Sequence, residues 1–294
     1  MLGEGTCHVG NHKLAYRWLG SQGPAMLMFH GVARRSQSFD PLLSALAPFV
    51  SLSTLDFRGH GQSSPRPGRY RVVDYVNDAL EFLDQCDAEP HILYGHSLGA
   101  MVAARVAALR PQLISAVILE DPPWDTMGKR IGQTALLGYF KDLQQAALSI
   151  SQDGLSLEQC SQLLANILLV DPQSHVTTRL GDVRDAVSLR FTASCLAKLD
   201  PSVFDPIVQG SWLDDYPIDE TLSKITCPTL VLQADEAAGG MLTDADAHRC
   251  ATLIPHCTLV KLKQTGHLMH WSRSSEIINL VLGFIASLAP PSLA

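Results

Sequence analysis

In the stretch Leu93-Tyr94-Gly95-His96-Ser97-Leu98-Gly99-Ala100, a serine stands between two glycines where an apolar segment meets an alanine-rich one. Residues 91–94 read as a short buried strand, and residues 98–109 carry small and apolar side chains at helical spacing. The pattern therefore dictates strand, sharp turn and helix. Gly95 and Gly99 let strand and helix crowd together, so that Ser97 takes a strained backbone with its hydroxyl projecting. The helix that begins there also aims unpaired backbone N–H groups at whatever the hydroxyl attacks. A capping serine between two loop glycines is the plain structural alternative, and the strand-to-helix setting favours a nucleophile.

The rest of the chain narrows the class. At 294 residues and 46% hydrophobic, it can bury a large core as one domain with an inserted lobe. A formal charge of -7 without a basic run argues against nucleic acid or an anionic membrane surface as partner. The seven cysteines (Cys7, Cys86, Cys160, Cys195, Cys227, Cys250, Cys257) are scattered and form no Cys-x-x-Cys pair. They suit a reducing compartment better than a disulfide framework or a zinc site. The first six residues show no basic segment followed by an apolar one, and the apolar stretch near 277–289 is broken by Asn279, Gly283 and Ser287. The expectation is a cytoplasmic protein acting on a small molecule, with no metal and no cofactor; its oligomeric state is not legible.

Strand and helix signals alternate along most of the chain. A hairpin-like pair (7–9 and 13–19) precedes strands at 26–29, 52–55, 91–94, 117–119, 229–232 and 258–260, with helices near 39–47 and 73–86 and after the later strands. Such alternation implies a mostly parallel central sheet with helices on both faces. Between Pro122 and Thr226 the pattern is helical and loop-like with no convincing strand. That marks an insertion, with Pro122-Pro123 and Cys227-Pro228 as its hinges. The expected domains are a core of residues 1–121 and 227–294 and a helical cap of residues 122–226.

A serine nucleophile needs a base, and the base needs a group that fixes its tautomer. Of the eleven histidines, His267 is preferred: Gly266-His267 follows the last strand, on the sheet edge that also presents Ser97. His270 is the rival, expected on the first turn of the final helix. For the acid, Asp235 directly follows the strand at 229–232 and is preferred. Asp121, at the end of the strand at 117–119, is the alternative, and Glu236 a weaker third. The structural alternative for either aspartate is a cap on a turn.

These residues together resemble the α/β-hydrolase fold, in the style of carboxylesterases and lipase-like serine hydrolases. His30-Gly31, the loop Asp56-Phe57-Arg58-Gly59-His60-Gly61-Gln62-Ser63, the Ser97 elbow, the Asp235 region and Gly266-His267 occur in the order that the family shows. One departure is Leu232, where the family usually has a glycine three residues before the acid. The resemblance implies an oxyanion hole from the backbone N–H groups of Val32 and Leu98, with His30, His60 and Arg58 shaping loops. It also implies that the insertion caps the nucleophile and sets substrate choice.

Arg34 and Arg35 lie just past the oxyanion loop, either as solvated charges or as a grip for an anionic substrate. Arg34, Trp124 and Trp212 are the candidate substrate-binding residues. The expected activity is hydrolysis of a carboxylic ester through an acyl-enzyme. Carbon–carbon bond hydrolysis, thioester hydrolysis, a lyase reaction on the same parts, or a hydrolase-like small-molecule receptor are the alternatives.

Overall fold

In a computed structural model, residues 2–20, 22–86, 90–171 and 174–288 are described. The strands are β1 (Gly3–Val9), β2 (His12–Leu19), β3 (Ala25–Phe29), β4 (Ser51–Leu55), β5 (His91–His96), β6 (Ile114–Glu120), β7 (Leu168–Val170), β8 (Thr177–Arg179), β9 (Thr229–Gln233) and β10 (Cys257–Lys261). Eight of them form one sheet in the order β1-β2-β4-β3-β5-β6-β9-β10. The first pair is a hairpin: Val9 faces His12 across Gly10-Asn11, and the positive φ of Gly10, 54°, suits so tight a turn. From β4 to β10 every neighbouring pair is parallel. Parallel pairing requires crossovers, supplied by the helices Asp40–Leu46, Val72–Leu83, Leu98–Leu109 and Asp244–Leu253. This is the α/β-hydrolase fold.

Strand alternation splits the core into two faces. Leu27, Phe29, Leu93, Val117, Leu119 and Val231 pack under the helices Val72–Leu83 and Leu98–Leu109. Their chain neighbours Met26, Met28, Ile92, Tyr94, Ile118 and Leu230 pack against Asp40–Leu46 and Ser274–Leu288. With both faces covered, the central strands read as unbroken apolar runs rather than alternating ones. Their carboxyl ends lie along one edge of the sheet, which brings together the ends of β3, β5, β6 and β9.

β6 and β9 are adjacent in the sheet although more than a hundred residues separate them in the chain. The intervening segment is chiefly helical, with Leu136–Asp153, Leu157–Ala165 and Ala186–Leu196 as its longer helices. Its buried side chains, including Phe140, Leu164, Leu189 and Phe204, continue the apolar cluster on the side of the sheet covered by Leu98–Leu109. The expectation that it holds no strand is corrected. β7 and β8 form an antiparallel ribbon in register Leu168 to Arg179 and Val170 to Thr177. Each strand is only three residues long and half exposed, so neither shows the alternation that sequence reading relies on. Among the described residues no helix is long and apolar enough to cross a membrane. Residue 1 and residues 289–294, counted with the core in the sequence reading, lie outside the described residues.

Candidate active site

Ser97 sits between β5 and the helix Leu98–Leu109 with φ 55° and ψ −116°, a conformation that non-glycine residues avoid unless the surroundings impose it. The surroundings here do so by crowding. A Cβ on Gly95 would lie 2.1 Å from the carbonyl oxygen of Gly99, and one on Gly99 would lie 1.9 Å from that of Phe29. Both neighbours are backbone atoms that cannot swing aside. Gly99→Ala should therefore lower the unfolding free energy by about 1–3 kcal/mol, seen as a lower urea midpoint. A variant as stable as the parent would remove this account of the glycine.

His267 is buried and donates from Nδ1 to the Asp121 carboxylate at 2.6 Å. The Asp121 oxygens also accept from the backbone N–H groups of Ala234 (3.1 Å), Leu242 (3.1 Å) and Met241 (2.8 Å). Three fixed donors on a fully buried carboxylate hold it in one orientation. The preference for Asp235 is thus corrected. Asp235 accepts from the N–H groups of Ala237 and Gln264 at 3.1 and 2.8 Å, and these bonds, that to Gln264 foremost, hold its carboxyl below the usual value. It ties the turn after β9 to the loop that carries His267. Glu236 is exposed and accepts from the N–H of Asp244 at 2.9 Å.

Glu120, the residue before Asp121, holds the second histidine. Its Oε1 accepts from His270 Nδ1 (2.8 Å) and from the His270 backbone N–H (3.0 Å), while Tyr94 donates to Oε2 at 2.5 Å. On the far side, His270 Nε2 pairs with Ser38 Oγ at 3.0 Å. Consecutive carboxylates at the end of β6 therefore grip both ends of the turn from His267 to His270. The His96 ring lies between the two histidines, 4.6 Å from one and 4.7 Å from the other, and its Nε2–H donates to the His267 carbonyl at 3.0 Å. Among the described residues, His96, Glu120 and His270 bring ligand-type atoms within 4.8 Å of one another. Glu120 and His270 are already committed to protein partners, so the group reads as a brace behind the His267–Asp121 pair.

The loop after β3 is shaped by two further buried histidines. His30 donates from Nδ1 to the Gly31 carbonyl (2.8 Å) and accepts from Phe57 N–H (3.0 Å). His60 donates to the Arg58 carbonyl (2.9 Å) and accepts from Ala33 N–H (3.3 Å). Burial pulls His30 down to about 4 and His60 to about 3, so both stay neutral and keep these donor and acceptor roles. Arg58 is locked on Asp78 through Nε at 2.5 Å and also through Nη2. Among the described residues, neither Val32 nor Leu98 spends its N–H on a protein acceptor.

Val32, Arg34, Ser97, Tyr139, Arg184 and His267 line one narrow chamber of about 50 Å³. Arg34 donates to Thr192 Oγ1 at 2.9 Å, and the Phe191 ring centroid is 5.8 Å from its guanidinium. Neither Arg34 nor Arg184 has an ion-pair partner among the described residues. Burial, with repulsion from Arg184 added, draws Arg34 below its ordinary value. Two neighbouring cations without a counter-charge make the chamber a place for an anion. Sequence reading missed Arg184 and Thr192, which lie in the inserted segment with no local motif.

The tryptophans are corrected as substrate contacts. Trp124 is fully buried, with its Nε1–H on Cys250 Sγ at 3.2 Å, and Trp212 is 1% exposed. Neither lines the chamber.

Comparison with known proteins agrees with this architecture. The family model of the alpha/beta hydrolase fold matches residues 24–274, and the chain belongs to that family. The 2-(acetamidomethylene)succinate hydrolase of Mesorhizobium japonicum is 36% identical over 113 residues, which are 38% of this chain and 40% of that protein. The match thus spans well under half the length of that relative. The (E)-2-((N-methylformamido)methylene)succinate hydrolase of Acinetobacter baylyi is 27% identical over 275 residues, 92% of this chain and 94% of the relative. Among solved structures, that of an E-2-(acetamidomethylene)succinate hydrolase superposes with a TM-score of 0.73 at 20% identity, covering 97% of this chain and all of the other. At that identity the likeness is one of fold.

Proposed function

We propose that the protein is a serine hydrolase that cleaves a carboxylic ester or amide whose acyl part bears a carboxylate. The observation that carries this reading is the single chamber lined by Ser97, by His267 with Asp121 hydrogen-bonded to it, and by Arg34 and Arg184, neither of them in an ion pair among the described residues. His267, with Nδ1–H fixed on Asp121, presents Nε2 as the base that takes the Ser97 proton as Oγ attacks the acyl carbon. The resulting oxyanion is received by the free N–H groups of Leu98 and Val32, donors that are already in place when charge develops. His267 then returns the proton to the leaving oxygen or nitrogen. An activated water releases the acid and restores Ser97. The acyl part rests against Arg34, and the segment 122–226, which supplies Arg184 and Thr192, serves as the selecting cap. The names of the Mesorhizobium and Acinetobacter relatives describe hydrolases of substituted succinates, which are anionic compounds, and this supports an anionic substrate. The nitrogen substituents in those names favour an amide alongside the ester.

A fluorophosphonate is expected to add covalently to Ser97, located by peptide mass spectrometry, and to stop turnover. Absence of an adduct on active protein would exclude Ser97 as the nucleophile. Monomethyl succinate should be a better substrate than dimethyl succinate. Arg34→Gln should reduce kcat/KM for the half-ester by about 10–100-fold, the scale of losing one partner of a desolvated ion pair, and alter the diester little. Equal losses on both esters would remove the anion-binding role.

A further inference from the structure

A second and larger cavity adjoins the chamber. It is a cleft of about 510 Å³ between the inserted segment and the core, within the ~300–1,000 Å³ range of small-ligand sites. Leu136, Leu169, Leu180 and Val183 line it from the insertion, and Leu268 and Trp271 from the core. Tyr139, Arg184, Met241 and Leu268 line both cavities, so the cleft lies directly beside the chamber that holds Ser97.

We propose that this outer cleft is a subsite for the departing part of the substrate, and that this part is an apolar alcohol or amine. The inference rests on the reading of Ser97 and His267 as acyl-transfer machinery, because that reading gives the cleft its direction. The leaving atom receives its proton from His267, so it departs on the His267 side. Gly266 and Leu268, which flank His267, line the outer cleft. Arg34, by contrast, follows the oxyanion loop and lines the inner chamber. The two halves of a substrate cannot exchange places. A chamber of about 50 Å³ has no room for a long chain, and Arg184, the one cation among the residues lining the cleft, also lines the chamber, while Leu136, Leu169, Leu180, Val183 and Trp271 line the cleft alone. Arg184, which lines both cavities, serves the anionic half, while Asp185, Ser188, Gln264 and Ser272 supply polar contacts elsewhere in the cleft.

The test uses monoalkyl succinates from methyl to octyl, set against methyl esters of fatty acids of rising acyl length. The expected result is a rise in kcat/KM of up to about fourfold per methylene on the alcohol side, the scale of removing one methylene from water, and a fall with acyl length. Val183→Asn, at an exposed position of the cleft wall, should flatten the alcohol series. A flat alcohol series in the parent protein, or a rise on the acyl side instead, overturns the assignment. Calorimetric binding of the same half-esters to Ser97→Ala separates the subsite from the chemistry. Affinity that rises with alkyl length, in a protein whose parent neither turns the esters over nor reacts with fluorophosphonate, would sink the catalytic reading and keep the cleft as an apolar site. Affinity independent of alkyl length would sink the subsite.

Discussion

Asp121→Asn should reduce kcat by about 10⁴, the loss seen when the acid of a serine triad becomes an amide, with the circular dichroism spectrum unchanged. The amide can offer an N–H to His267 Nδ1, which turns the ring to the tautomer that carries its proton on Nε2, where a base is needed. It also removes the negative charge that stabilises the imidazolium. Asp235→Asn should cost at most about tenfold, because that side chain meets backbone N–H groups and only steadies the loop leading to His267. The check is steady-state kinetics on one half-ester with both purified variants. A larger loss in the Asp235 variant would return the acid to the end of β9.

What decided between these aspartates lies outside any local pattern. Both follow an apolar strand, and both strands end on the same sheet edge, so one-dimensional reading sees two equivalent positions. The discriminating feature is the set of donors from Ala234, Met241 and Leu242, which converge on Asp121 from the chain after β9. It exists only because β6 and β9 are sheet neighbours. The elbow and the parallel core were legible for the opposite reason. Gly95, Ser97 and Gly99 act within one turn, and the buried strands are continuous apolar runs. The tryptophans misled because a large aromatic in an apolar insertion serves its core as readily as a ligand; Trp124 and Trp212 do the former. Arg34 was legible as a cation beside the oxyanion loop, but its partner Arg184 is 150 residues away, and only the fold of the insertion brings the two to one chamber.

Below about pH 6.5 the protein should lose stability steeply, because three buried histidines are held neutral in the folded state. Burial lowers His30 to about 4 and His60 to about 3, with the neighbouring His30 adding to the effect on His60. Burial, followed by the charges of His267 and His270, takes His96 well below its ordinary value. The unfolded chain binds protons at these sites near the ordinary histidine value of about 6.5 and the folded chain does not, so acid favours unfolding. The stability they lend is complete above that pH and drains as pH falls towards the folded values, at roughly 1.4 kcal/mol per pH unit for each histidine. Urea titrations between pH 7.5 and 4.5 read this as a falling unfolding free energy. His60→Asn, whose amide can keep one donor and one acceptor, should be less stable at pH 7.5 but show a shallower slope. An unchanged slope would mean that His60 takes up its proton in the folded protein. The same protonation bears on the site: a charged His60 can no longer accept from Ala33 N–H, next to the Val32 N–H proposed for the oxyanion hole. Loss of activity in acid should therefore include a contribution from loosening of the loop after β3.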